Sequence, residues 1–102
     1  MLSESPAQPG TAPIRVILAD DHPILRSGLR LLLGAEPDLE VVGEANNGIE
    51  AVEQTTRLRP DVVVMDIAMP GMSGLEATRR ISQLETGARV LILTVHAEEQ
   101  YL

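Results

Sequence analysis

Four short apolar runs recur along the chain, each separated from the next by room for one helix: IRVILAD (14–20), LEVVGEA (39–45), DVVVMDI (61–67) and RVLILTV (89–95). Their length and β-branched content predict strands. The first, third and fourth are nearly continuous in apolar residues rather than alternating. That is the pattern of strands buried on both faces of a parallel sheet covered by helices. LEVVGEA is more mixed and suits a sheet edge.

Helical patterns fill the gaps. Pro23 is placed as a first helical residue. Leu25, Leu29, Leu32 and Leu33 share one face, and Gly34 is suited to end that helix in the left-handed conformation. Asn47 with Glu50 three residues on resembles a capping box, opening a second helix that runs to about Arg59 and stops at Pro60. Ser73 with Glu76 repeats the device, and Leu75, Thr78, Ile81 and Leu84 give a third helix its inward stripe.

Strands alternating with helices imply right-handed crossovers and an α/β fold with a doubly wound parallel sheet. Ala97 to Leu102 amounts to about one helical turn, too little to cover the fourth strand. The expected domain is therefore incomplete, with about four strands and three full helices, cut before a last strand. Its fourth strand would lie at an edge with an uncovered apolar face, which predicts a homodimer, a strand- or helix-exchanged oligomer, or aggregation.

Composition narrows the function. With 102 residues there is room for one domain, and residues 1–13, rich in Pro, Ser, Ala and Gln, read as a disordered tail. One Tyr and no Phe or Trp leave an aliphatic core and argue against stacking on nucleic-acid bases. A formal charge of −7 opposes binding to phosphate backbones. The chain has no cysteine, hence no disulfide framework or thiolate site. No apolar run approaches the roughly 20 residues of a membrane span, and MLSESPAQPGTAP lacks the features of a signal peptide. A soluble cytoplasmic protein with no membrane partner is expected. All eight basic residues are arginines.

In open α/β sheets ligands bind beyond the carboxyl ends of the strands, near the point where winding reverses. Asp20 and Asp21 close the first run, Asp66 closes the third, and Thr94 stands near the end of the fourth. Three carboxylates in one pocket repel each other unless a cation is present, and oxygen-only ligands suit a hard divalent ion such as Mg²⁺. With the ion bound, a carboxylate oxygen of Asp66 is placed to accept a phosphoryl group as an aspartyl phosphate. The turn DDHP offers carboxylates rather than bare amides, which disfavours a phosphate-cradling loop. His22 is expected as a helix-cap or surface residue, and His96 as a loop residue. Met65 is expected in the core, Met69 and Met72 around the loop, and Arg79 and Arg80 on a solvated helix face.

ADDHPILRSGLRLLL, EVVGEANNGIEAV, RPDVVVMDIAMPGMSGLEATRRI and VLILTVHAEEQYL, in that order, resemble the receiver domain of bacterial two-component response regulators of the NarL/FixJ subfamily, over about Ile14 to Leu102. The resemblance implies the flavodoxin-like, CheY-like (βα)5 receiver fold. It also implies that Asp66 is the phosphoacceptor, and that Asp20, Asp21, Asp66 and the main-chain carbonyl of Ala68 hold Mg²⁺, for which Mn²⁺ can substitute. Thr94 matches a hydroxyl that bonds the phosphoryl group and moves the following loop, and Pro70 and Gly71 match the turn beyond the acceptor. The implied partners are a sensor histidine kinase and, through a C-terminal helix-turn-helix domain absent from these residues, DNA. Such a domain is a switch that assists its own phosphorylation and dephosphorylation rather than a turnover enzyme.

The family also carries a lysine at the end of a fifth strand, and these 102 residues contain none. A degenerate receiver, a protein-interaction module without phosphorylation, is the alternative. A haloacid dehalogenase-type phosphatase needs a second acid two residues after the nucleophile, where Ala68 stands. A flavin-binding flavodoxin is opposed by the charge of DDHP.

Overall fold

The computed structural model describes residues 12–93. Four strands, β1 (Ile14–Ala19), β2 (Leu39–Ala45), β3 (Val62–Asp66) and β4 (Arg89–Leu93), alternate with three helices, α1 (Pro23–Gly34), α2 (Gly48–Leu58) and α3 (Gly74–Gln83). The strands form one sheet in the order β2-β1-β3-β4, with every pairing parallel. The doubly wound α/β reading therefore holds for the described residues. Thr94, His96 and the expected start of a fourth helix lie outside them, as does most of the expected N-terminal tail.

β1 shows why its run is apolar throughout. Val16 and Leu18 pack with Val64 on one face, against Leu29 and Leu33 of α1. Ile17 and Ala19 face the other way, into a cluster with Ala45, Val63 and Met65 that α2 and α3 close with Ala51, Ala77 and Ile81. Burying each large aliphatic side chain contributes about 1.5–3 kcal/mol, so the second cluster carries the larger share of the core. β2 is an edge strand as its mixed run suggests. A bulge skips Val42 between the Val16–Val41 and Ile17–Gly43 pairs. β4 is the outer strand on the opposite side, and its Leu91 is 57% exposed.

Both predicted N-caps are present. Asn47 and Ser73 accept from the backbone N–H of Glu50 and Glu76, at 2.8 and 3.2 Å. The box at Asn47 differs in one respect: the Glu50 carboxylate takes the N–H of Asn46, not of the cap itself. α2 stops at Leu58, and Arg59 adopts the left-handed conformation at φ 49. This conformation is unusual for a residue with a side chain. Arg15 supports it by donating to the carbonyls of Leu58 and Arg59 at 2.6 and 3.0 Å, a cation at a helix C-terminus.

Three details correct the sequence reading. Gly34 is the last residue of α1, but the chain continues through Ala35 in right-handed geometry, so Gly34 is not a left-handed cap. Leu32 is 69% exposed, and α1 faces the sheet with Leu29 and Leu33 instead. In α3 the buried residues are Gly74, Ala77 and Ile81, with Leu84 against the same cluster, while Leu75 is 60% exposed. The helix turns its small residues inward in its first two turns because it lies directly on the backbone that follows β3. Among the described residues no helix is long and apolar enough to cross a membrane.

Candidate functional site

The strand order puts the reversal of winding between β1 and β3, and both strands end there in acids. Asp66 is the last residue of β3 and is fully buried. Asp20 follows β1, tied to the end of β2 by its N–H to the carbonyl of Ala45 at 3.0 Å, and is 2% exposed. Asp21 is partly exposed. Asp20, Asp21, His22 and Asp66 each bring one ligand-type atom into a group whose members all lie within 4.8 Å of one another.

Local structure holds these carboxylates in place. Arg26, one turn into α1, donates to the carbonyls of Asp20 and Ala45 at 2.6 and 3.2 Å and to Asn46 Oδ1 at 2.7 Å, and pairs with Glu44. It clamps the ends of β1 and β2 together behind Asp20. On the other strand, the Ala68 N–H donates to Asp66 Oδ1 at 3.2 Å, and the Gly74 N–H to the Ile67 carbonyl at 2.8 Å. A Cβ at Gly74 would overlap the Asp66 carbonyl oxygen and come within 2.8 Å of Ile67 Cα. The N-terminus of α3 therefore rests on the peptide unit that follows Asp66. Gly71, with φ 74, makes the turn between them.

The donor set fits a hard divalent cation. Asp20 Oδ2 is buried and makes no hydrogen bond, and Asp21 Oδ1 is buried with the His22 ring 3.2 Å away. A buried carboxylate oxygen without a hydrogen bond is costly unless a positive charge meets it. Asp20, Asp21 and Asp66, brought together from two strand ends, supply the oxygen ligands that Mg²⁺ prefers.

His22 departs from expectation. It occupies the N-cap of α1, as a cap residue should, but its side chain makes no capping bond. Its Nδ1 instead lies 2.8 Å from Asp20 Oδ1, 3.2 Å from Asp21 Oδ1 and 3.5 Å from Asp66 Oδ2. The hydrogen bond to Asp20 raises its pKa above the usual histidine value, and the charges of Asp21, Asp20 and Asp66 add to that, against some desolvation. The sequence reading favours a cap or surface role for His22 over a ligand or base, and it missed the roles of Arg26 and Gly74. The adjacency in DDH was the available cue for His22, while Arg26 and Gly74 act through contacts that only the fold creates.

Met65 is in the core, Met69 is buried, and Met72 packs partly buried against the same cluster. Arg79 and Arg80 are 67% and 55% exposed and pair with Glu76, whose pKa they hold below the usual carboxylate value through hydrogen bonds from Arg79 and then Arg80. Thr94 lies outside the described residues. Its neighbour Leu93 accepts from the Ile67 N–H at 3.3 Å, which brings the end of β4 beside the turn after Asp66.

This arrangement agrees with what comparison with known proteins finds. Residues 16–102 match the family model described as the response regulator receiver domain. The transcriptional regulatory protein LiaR of Bacillus subtilis is 47% identical over 81 residues, covering 79% of this chain but 38% of LiaR. The receiver domain of the putative response regulator NarL from Mycobacterium tuberculosis superposes with a TM-score of 0.80 at 36% identity, covering 83% of this chain and 68% of that one. The CheX–CheY–BeF₃–Mg²⁺ complex from Borrelia burgdorferi gives a TM-score of 0.79 at 25% identity, covering 90% of this chain and 70% of that chain. With the matched family covering most of its length and its relatives being NarL-type transcription regulators, the chain belongs to the response regulator receiver domains of two-component systems.

Proposed function

We propose that the chain accepts a phosphoryl group on Asp66 from a sensor histidine kinase. The observation that carries this reading is the buried Asp66 carboxylate at the end of β3, within 4.8 Å of the acids that end β1. The solved relative bound to BeF₃ and Mg²⁺ supports the same chemistry. Asp20, Asp21, Asp66 and the Ala68 carbonyl would hold Mg²⁺, or Mn²⁺ in its place. A bound divalent ion offsets the charge on the phosphoryl oxygens, which the acids alone would repel.

A carboxylate oxygen of Asp66 attacks phosphorus, the new O–P bond forms as the bond to the donor nitrogen breaks, and the electron pair leaves with the donor. Asp20 and Asp21, beside Asp66, would hold the cation that draws the incoming group toward it. Ala68 N–H and the α3 contact at Gly74 fix the attacking carboxylate, limiting the reorientation needed at the moment of transfer. Thr94 would donate its hydroxyl to a phosphoryl oxygen and couple the acyl phosphate to the residues that follow it. In the cytoplasm this switch controls dimerisation and, through a C-terminal helix-turn-helix domain, binding to DNA. Addition of one phosphoryl group in the presence of Mg²⁺, lost in Asp66→Asn, is the test.

Self-association has its own support in the outer position of β4 among the described residues and in the exposure of Leu91. An open apolar strand edge pairs readily with another copy. Sedimentation of the 102-residue chain is expected to show concentration-dependent association, weakened in Leu91→Lys. A monomer at every concentration would count against it.

A further inference from the structure

We infer that His22 is an additional protein ligand of the acidic pocket, through Nδ1, and that it tilts the site toward divalent cations that accept nitrogen, such as Mn²⁺ or Co²⁺. The inference rests on the metal-binding reading of the pocket above. It adds to that reading a ligand, and with the ligand a selectivity, that three carboxylates and a carbonyl do not have.

Geometry is the first support. Two ligands at about 2.1 Å from one ion, at right angles, lie about 3.0 Å apart. His22 Nδ1 lies 2.8, 3.2 and 3.5 Å from oxygens of Asp20, Asp21 and Asp66, near enough to all three to share one ion with them in place of these contacts. The ring is not there by chance of rotamer alone. The His22 backbone N–H is bonded to Asp20 Oδ1 at 2.7 Å, and Pro23 fixes the chain just beyond it. The second support is the buried Asp20 Oδ2, which makes no hydrogen bond although it belongs to the same cluster. In the metal-free protein Nδ1 donates to Asp20. With a cation bound, Nδ1 would face the ion in place of this hydrogen bond.

Chemistry then gives the selectivity. Mg²⁺ is a hard ion that favours oxygen and keeps its waters, so an imidazole adds little to its binding. Mn²⁺ and, more strongly, Co²⁺ gain from a nitrogen donor. All-oxygen pockets already prefer Co²⁺ to some degree, so the diagnostic quantity is how far the preference depends on His22.

Calorimetric titrations of the full 102-residue chain with Mg²⁺ and Co²⁺ decide the matter, using wild type, His22→Ala and Asp20→Asn, each checked for native circular dichroism. His22→Ala is expected to weaken Co²⁺ by about tenfold or more and Mg²⁺ by less than about twofold. Pulsed electron paramagnetic resonance of the Mn²⁺-loaded chain is expected to show a coupled imidazole nitrogen that disappears in His22→Ala. Binding lost in Asp20→Asn but indifferent to His22→Ala, or weakened equally for both ions, overturns this inference and leaves the pocket standing. Failure of both ions to bind the wild type overturns both readings together.

Discussion

Gly74→Ala is expected to destabilise the fold by about 2–3 kcal/mol and to disorganise the acidic pocket, although residue 74 carries no functional group. The cause is steric. A methyl group there meets only backbone: the carbonyl oxygen of Asp66, its carbonyl carbon at 2.9 Å and Ile67 Cα at 2.8 Å. Nothing in that list can rotate away, so either α3 lifts off the sheet or the peptide after Asp66 shifts. Lifting α3 withdraws Ala77 and Ile81 from the core, while shifting the peptide moves the Asp66 carboxylate. Urea denaturation gives the stability change, and Mg²⁺-dependent stabilisation of the variant reports the pocket. Gly43→Ala is a useful control. Its added methyl would meet the far ends of Gln54 and Leu58, which can move. A Gly74→Ala protein as stable and as responsive to Mg²⁺ as the wild type would refute the contact.

Asp20→Asn is expected to reverse its effect on stability with the metal. Without divalent cations the variant should be more stable than the wild type by about 1–3 kcal/mol, because a buried carboxylate beside Asp66 and Asp21 is replaced by a neutral amide able to donate to them. With Mg²⁺ at about one hundred times its dissociation constant, the wild type should gain about 2.7 kcal/mol. The variant, having lost a ligand, should gain little. The two stability curves would therefore change order between chelator and Mg²⁺. A variant weaker in chelator, or one that gains from Mg²⁺ as much as the wild type, would contradict the view that the pocket sacrifices stability to hold charge for a cation.

The sequence was most informative where chemistry is local. Continuous apolar runs marked the two-faced central strands, Asn47 and Ser73 marked helix starts, and acids at the ends of β1 and β3 marked the mouth of the sheet. It was least informative where tertiary contact overrides pattern. A scan for bulky apolar residues placed Leu75 inward, yet the beginning of α3 must approach a peptide backbone, and only Gly74 and Ala77 are small enough. The same limit explains Gly34, whose type suits a left-handed cap that the chain does not use there. Arg15 and Arg26 act on carbonyls contributed by other elements, from residues 58 and 59 and residue 45, so no spacing in the sequence announces them. His22 was legible as a neighbour of acids, but the direction of its ring depends on the bond between its own N–H and Asp20.

Phosphorylation of Asp66 is best judged by intact mass. The 102-residue chain is incubated with a small-molecule phosphodonor and Mg²⁺, beside a chelated sample and Asp66→Asn. The acidic pocket predicts a gain of one phosphoryl group that needs Mg²⁺, is released by hydroxylamine and is absent from the variant. A folded chain that binds Mg²⁺ yet gains no mass, or a gain that persists in Asp66→Asn, would contradict the assignment of Asp66 as the acceptor in this chain.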